Sequence, residues 1–204
     1  MSESDSYKTI KSFSSGIYKE KGSKFIAEAW PVKDEVEISS ILEKTRKTYH
    51  DARHHCFAYQ TGKDGLVWRT NDDGEPSGTG GRPIHGQIKS FGLTNVLIIV
   101  SRYFGGTLLG VSGLINAYKS AARSAIENAT IIDHIVLDHY EVRFPYQATN
   151  SVMKIIKDEE IAQADHSFDL DSRIVISFRS SARDKILKRL ERIEGVTFKF
   201  LSSG

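Results

Sequence analysis

"NVLIIVSRYFGGTLLGVSGLINAY" occupies Asn95–Tyr118 and joins an apolar run to a glycine-rich turn and a helical pattern. Its first ten residues form the most apolar run of the chain, rich in branched residues and without polar alternation. Such a run predicts a strand that is central in its sheet. The Gly105–Gly106 pair ends it. From about Val111 to Asn128 the spacing predicts a long helix. Val111, Leu114, Ile115, Tyr118, Ala122, Ala125 and Ile126 share its core face, and Asn116, Lys119 and Arg123 the other.

Upstream, "YKTIKSF" alternates, and "SGIYKEKGSKFIAEAWPV" reads as two strands turning near Lys21–Gly22. Asp34 opens a helix with Ile38, Ile41, Leu42, Thr45 and Tyr49 on one face. "RHHCFAYQTG" and "GLVWRTN" form a strand pair turning at Gly62–Gly65, and a short helix covers Pro83–Phe91. Downstream, "DHIVLDHYEVRFPY" is a strand and Gln147–Lys157 a helix. Ile161–Phe168 and Arg173–Ser180 are strands, Ala182–Glu194 is a helix stopped by Gly195, and "VTFKFLS" is a final strand. The order βαββαβ is the ferredoxin-like pattern. A boundary near Ile132–Ile135 divides the chain into residues 1–133 and 134–204. No Gly/Ser-rich linker separates the halves, so they are expected to pack together.

Hydrophobic residues make up 39% and charged residues 26% of the 204, as in a soluble globular protein. No apolar run approaches the ~20 residues of a membrane helix. Met1–Lys8 is polar and carries acids, unlike a signal or transit peptide, so a cytoplasmic location and no membrane partner are expected. The single Cys56 excludes an intramolecular disulfide. The net charge of +2 excludes a general polycation. Lys44–Arg123 nevertheless holds 11 basic and 5 acidic residues, whereas residues 134–204 hold 11 of each. An anion-binding face belongs in the first part of the chain.

Twelve of the sixteen glycines fall between Gly62 and Gly113. "DDGEPSGTGGRPIHG", Asp72–Gly86, places Gly78, Gly80 and Gly81 just before a helix start, where free amides attract anions, and Arg82 adds a fixed charge. No Gly-Lys-Ser/Thr follows, so this is not a Walker motif, and no Rossmann strand precedes it. The alternative is a glycine turn that lets the helix pack tightly. Asp72, Asp73 and Glu75 suit either Mg²⁺ or a tight turn. On a strand, His54 and Cys56 share a face and His55 points away. Two ligands leave zinc short, and a Cys nucleophile needs a base in reach, so a packed structural cysteine is the simpler account. No catalytic, cofactor or metal set is expected. In "VSRYFGGTLLGVSG", Arg102, Tyr103, Phe104, Gly105 and Gly106 bring arginine, aromatics and free amides together at a strand end, which suits RNA or another extended anion. Alternatively Tyr103 and Phe104 are core and Arg102 is a structural ion-pair partner.

Together "DGEPSGTGGRPI", "NVLIIVSRYFGGTLLGVSGLINAY" and "ARHHCFAYQTG" resemble the signature of the IMPACT family, in its bacterial YigZ-like branch. The resemblance covers roughly Ser14–Asn128, and residues 134–204 resemble the smaller domain that accompanies it in bacteria. It implies an α+β protein of two domains. The first is a left-handed βαβ domain like those of a small-subunit ribosomal protein and elongation factor G. The second is ferredoxin-like, similar to the last domain of elongation factor G. It implies translation regulation, with RNA, the ribosome or a translation-regulatory protein as partner. It supplies no catalytic residues. The expected binding surface is Gly78, Gly80, Gly81, Arg82, Arg102, Tyr103, Phe104, Gly105, Gly106, Lys119 and Arg123. The alternatives are a small-molecule or nucleotide-phosphate enzyme using the Gly78–Arg82 loop, and a protein–protein module.

Overall fold

The computed structural model describes residues 5–167 and 171–204. The chain forms two compact units, Tyr7–His134 and Ile135–Gly204, the second also taking up Asp5 and Ser6. Its elements run β1 (Ser6–Ile10), β2 (Ser14–Glu20), β3 (Ser23–Pro31), α1 (Glu35–Thr48), β4 (His54–Thr61), β5 (Val67–Asn71), α2 (Gly81–Ser90), β6 (Val96–Tyr103), α3 (Gly110–Glu127) and β7 (Ile131–Ile135). They continue with β8 (Leu137–Pro145), α4 (Thr149–Asp158), β9 (Ala162–Ser167), β10 (Asp171–Arg179), α5 (Arg183–Leu190) and β11 (Thr197–Ser203).

In the first unit five strands form one sheet in the order β2-β3-β6-β4-β5, every neighbouring pair antiparallel. The chain leaves β3, passes through α1 and returns as β4 on the far side of β6. This is a βαβ crossover with one strand inserted. Asp34 starts α1 by accepting the Glu37 amide at 2.8 Å. Ile38 of α1 packs on Phe57, Tyr59, Leu97 and Ile99, while α2 and α3 cover Phe25, Ala27, Cys56, Ala58, Val96, Ile98 and Val100 on the opposite face. Successive residues of β6 thus point into two different cores, which is why its apolar run lacks alternation. β1 pairs with β7 in a separate two-stranded sheet.

Leu114, Tyr118, Ala122, Ala125 and Ile126 of the expected α3 core face are buried, but two of its members are not. Val111 is 60% and Ile115 36% exposed, whereas Ala117 and Ala121 are fully buried. β2 meets the C-terminal turns of α3 closely: a Cβ on Gly16 would lie 2.5 Å from the Ala125 amide nitrogen. At that contact only a small residue such as Ala125 fits, while Ala117, Ala121 and Ala122 join Leu114, Tyr118 and Ile126 in the same core.

The second unit has sheet order β11-β8-β10-β9, all antiparallel, with α4 and α5 supplying Val152, Ile155, Ile156, Ile186 and Leu190 to one core. This is the ferredoxin-like arrangement. The stretch read as one strand at "DHIVLDHYEVRFPY" is two, β7 and β8, interrupted at Val136, whose amide donates to the Asp5 carbonyl at 2.7 Å. α5 ends at Leu190 rather than Glu194. Turns then carry the chain to Gly195, whose φ of +78° suits a residue without Cβ. Phe168, expected to end the strand before β10, lies outside the described residues.

Candidate functional site at the glycine-rich loops

The acidic start of the Asp72–Gly86 stretch folds back onto its own glycines. Asp72 Oδ2 accepts the Gly78 amide at 2.8 Å, and Oδ1 accepts those of Gly80 and Gly81 at 2.9 and 2.8 Å. Burial alone would raise the Asp72 carboxyl, but the three amides and nearby Arg82 outweigh it and hold the group below its ordinary value. The amides expected to cradle a phosphate are therefore spent on an internal carboxylate. With these amides satisfied, α2 begins at Gly81, two residues before the expected Pro83. A Cβ on Gly80 would fall 2.6 Å from Cys56 Sγ, so this stretch is a tight corner pressed against β4.

The other two acids go elsewhere. Asp73 accepts from Arg46 Nη2 at 2.7 Å and from the His55 amide at 2.6 Å. Glu75 Oε1 accepts from Arg102 Nη1 at 2.6 Å and from Tyr118 Oη at 2.8 Å. The three carboxylates serve separate partners, and among the described residues no three His, Cys, Asp or Glu side chains gather as a metal cluster.

Arg102 is accordingly buried, with its guanidinium carbon 5.4 Å from the Phe25 ring centroid and 5.6 Å from that of Phe104. It is the structural ion-pair partner, not an exposed phosphate contact. Tyr103 donates to Asp51 at 2.7 Å, and burial followed by that bond pushes its phenol up to about 12. Phe104 is partly exposed, so it is not a core residue. The Gly105 amide donates to Ser23 Oγ at 3.1 Å, and a Cβ there would sit 1.9 Å from the Gly22 carbonyl carbon. Gly105 is thus a contact with the β2–β3 turn, while Gly106 stands clear of its neighbours at φ +85°. Lys119 and Arg123 are exposed on α3, and Arg123 pairs with Glu127 at 2.7 Å. Arg82 is exposed in the first turn of α2.

His54 Nδ1 lies 2.8 Å from the Asp73 carbonyl, which can only accept, so Nδ1 carries a proton and Nε2 faces Glu75 Oε1 at 3.9 Å. Cys56 is fully buried, with Sγ 3.0 Å from the Asp72 carbonyl. Burial pushes its thiol well above the ordinary range, the opposite of an activated nucleophile.

These groups border a cavity of about 340 Å³, with Phe104, Leu108, Leu109, Val111 and Leu114 as apolar wall and Arg53, His54, Glu75 and Arg102 as polar lining. The sequence reading missed the roles of Arg53, Glu75 and Tyr118, because the partners lie 27 to 51 residues apart in the chain. It also missed Trp68, which is 56% exposed and stacks on His85 with ring centroids 4.6 Å apart at 19°. The available signal was a tryptophan inside the short strand "GLVWRTN", next to Arg69.

The Impact N-terminal domain model matches residues 21–126. The chain is 34% identical over 128 residues to IMPACT family member YvyE of Bacillus subtilis, covering 63% of this chain and 59% of that protein. It is 33% identical over 126 residues to IMPACT family member YigZ of Escherichia coli, covering 60% and 62%. The match thus spans about three fifths of these relatives' own length. A crystal structure titled only as that of a hypothetical protein shares the fold, with TM-score 0.69 and 23% identity over 98% of both chains. The glycine-rich corner, the central strand and all but the last residue of the helix it feeds fall inside the matched segment, and the chain belongs to the IMPACT family.

Proposed function

We propose that this protein binds RNA of the translation apparatus through the outer surface of its α2–α3 layer and regulates translation in that way. The observation that carries the reading is the charge of that layer. α2 contains no acidic residue and α3 only Glu127, whereas their exposed positions carry Arg82, Lys89, Lys119 and Arg123. Arg82 and Lys89 lie seven apart on α2, and Lys119 and Arg123 four apart on α3, so each pair shares a helix face. Trp68, stacked on His85 of α2, adds an exposed aromatic of the kind on which unpaired bases stack. Lysine and arginine contacts to phosphate with a sequence-tolerant stacking platform describe a backbone-directed RNA surface. Family membership supports the translation setting as an expectation of the resemblance.

The test is RNA and ribosome association at about 50 mM salt, where phosphate contacts are strongest. Arg82→Ala and Lys119→Ala should each weaken binding and reduce the slope of log K against log salt by about 0.7, the value for one single-strand phosphate contact. Trp68→Ala should weaken binding without changing the slope. Absence of association by the folded wild type at that salt sinks the reading.

A further inference from the structure

We propose that the cavity beside the Glu75–Arg102 pair is a binding site for a small monocarboxylic acid with a branched or aromatic apolar body. It is a different place from the cationic helix faces, since none of Arg82, Lys89, Lys119 or Arg123 borders it. Its volume of about 340 Å³ is at the small end of ligand pockets, and an apolar wall with a few convergent polar groups is the usual build of such a site.

Charge decides the class of ligand. The Arg102 cation is already compensated by Glu75 at 2.6 Å, both side chains being more than nine-tenths buried. Arg53 also borders the cavity, 5.5 Å from the Phe104 ring centroid, and has no carboxylate partner among the described residues. The lining therefore carries one uncompensated positive charge. That matches a monoanion and leaves a phosphate dianion half unpaired. Arg102 also borders the cavity, and its Nε is buried with no acceptor. Leu108, 83% exposed, stands at the wall with Leu109, Val111 and Leu114. An apolar body laid on them would remove this surface from water. The walls offer little to a hydrated sugar, which disfavours a nucleotide. The same chemistry comes from a free acid or from the C-terminal residue of a peptide.

The experiment titrates the full chain with 4-methylpentanoate, its neutral analogue 4-methylpentanamide, N-acetylleucine and adenosine monophosphate, following side-chain methyl resonances. The acid should shift the methyls of Leu108, Leu109, Val111 and Leu114 and bind about tenfold more tightly than the amide. Arg53→Ala, at an exposed position, should lower the acid to the affinity of the amide and leave the amide unchanged. Arg53→Lys should restore part of the difference. Tighter N-acetylleucine binding assigns the site to a peptide C-terminus, and tighter 4-methylpentanoate binding to a free acid. Equal binding of acid and amide, no methyl shifts at about 10 mM acid, or a nucleotide that outcompetes both acids overturns the proposal. No nucleic acid enters the test, so its outcome is separable from that of the RNA reading.

Discussion

Arg102 on β6 and Glu75 in the glycine-rich corner join the two signature motifs by a 2.6 Å ion pair, with side-chain exposures of 6% and 4%. The contact is completed by Tyr118 of α3, which donates to the same Glu75 oxygen. One carboxylate thus holds together the corner, the central strand and the long helix. Removing one member of such a pair strands a charge in the interior. Arg102→Ala should destabilise the protein by about 3–5 kcal/mol in urea unfolding. Replacing both residues, with Glu75→Leu and Arg102→Met, should cost less than that single change. An Arg102→Ala midpoint equal to wild type would show that the pair contributes nothing to stability.

Acid should loosen the corner and the second unit alike. Burial tends to raise the carboxyls of Asp72, Asp73 and Asp138. The amides on Asp72, Arg46 and the His55 amide on Asp73, and Arg183, Ser180 and Ser203 on Asp138 more than reverse it, and all three lie below their ordinary value. A lowered folded-state value means that each contribution is fully present above the unfolded value, near pH 4, and is lost as pH falls through the folded one. Chemical denaturation between about pH 6 and 2.5 should show stability falling in that window. Asp72→Asn keeps an acceptor for Gly80 and Gly81 but turns a donor toward Gly78. It should cost about 1–3 kcal/mol at neutral pH and make the acid loss shallower.

Gly105 and Gly106 are adjacent but bound by different physics. A Cβ at 105 overlaps the Gly22–Ser23 backbone, so Gly105→Ala must push the β2–β3 turn off the loop. A Cβ at 106 meets nothing within 4 Å and only strains a φ of +85°. Gly106→Ala should cost about 1 kcal/mol and Gly105→Ala several times more, read as a difference in thermal midpoint.

Cys56 should resist alkylation. Its thiol is buried, raised by burial and pressed against Gly80. Iodoacetamide at neutral pH should label the native chain far more slowly than the unfolded one, and Cys56→Ala should leave RNA association intact. Rapid native labelling accompanied by loss of binding would assign the thiol a functional role instead.

Local and periodic features were legible from the residues alone. The β6 run announced a strand buried on both faces, Asp34 a helix start, and the βαββαβ order the second unit, because turn chemistry and spacing act over a few residues. The sequence also held both readings of Arg102 and of the glycine stretch without choosing between them. The tertiary structure made that choice. Whether an amide or a guanidinium faces solvent depends on which carboxylate the fold brings to it, and these came from 6 to 9 residues away for Asp72 and 27 for Glu75. The same holds for α3. Val111 and Ile115 are as apolar as any core residue, yet they stand exposed while the smaller Ala117 and Ala121 are buried. Periodicity sets which residues share a face. The distance between packed elements sets which face is buried.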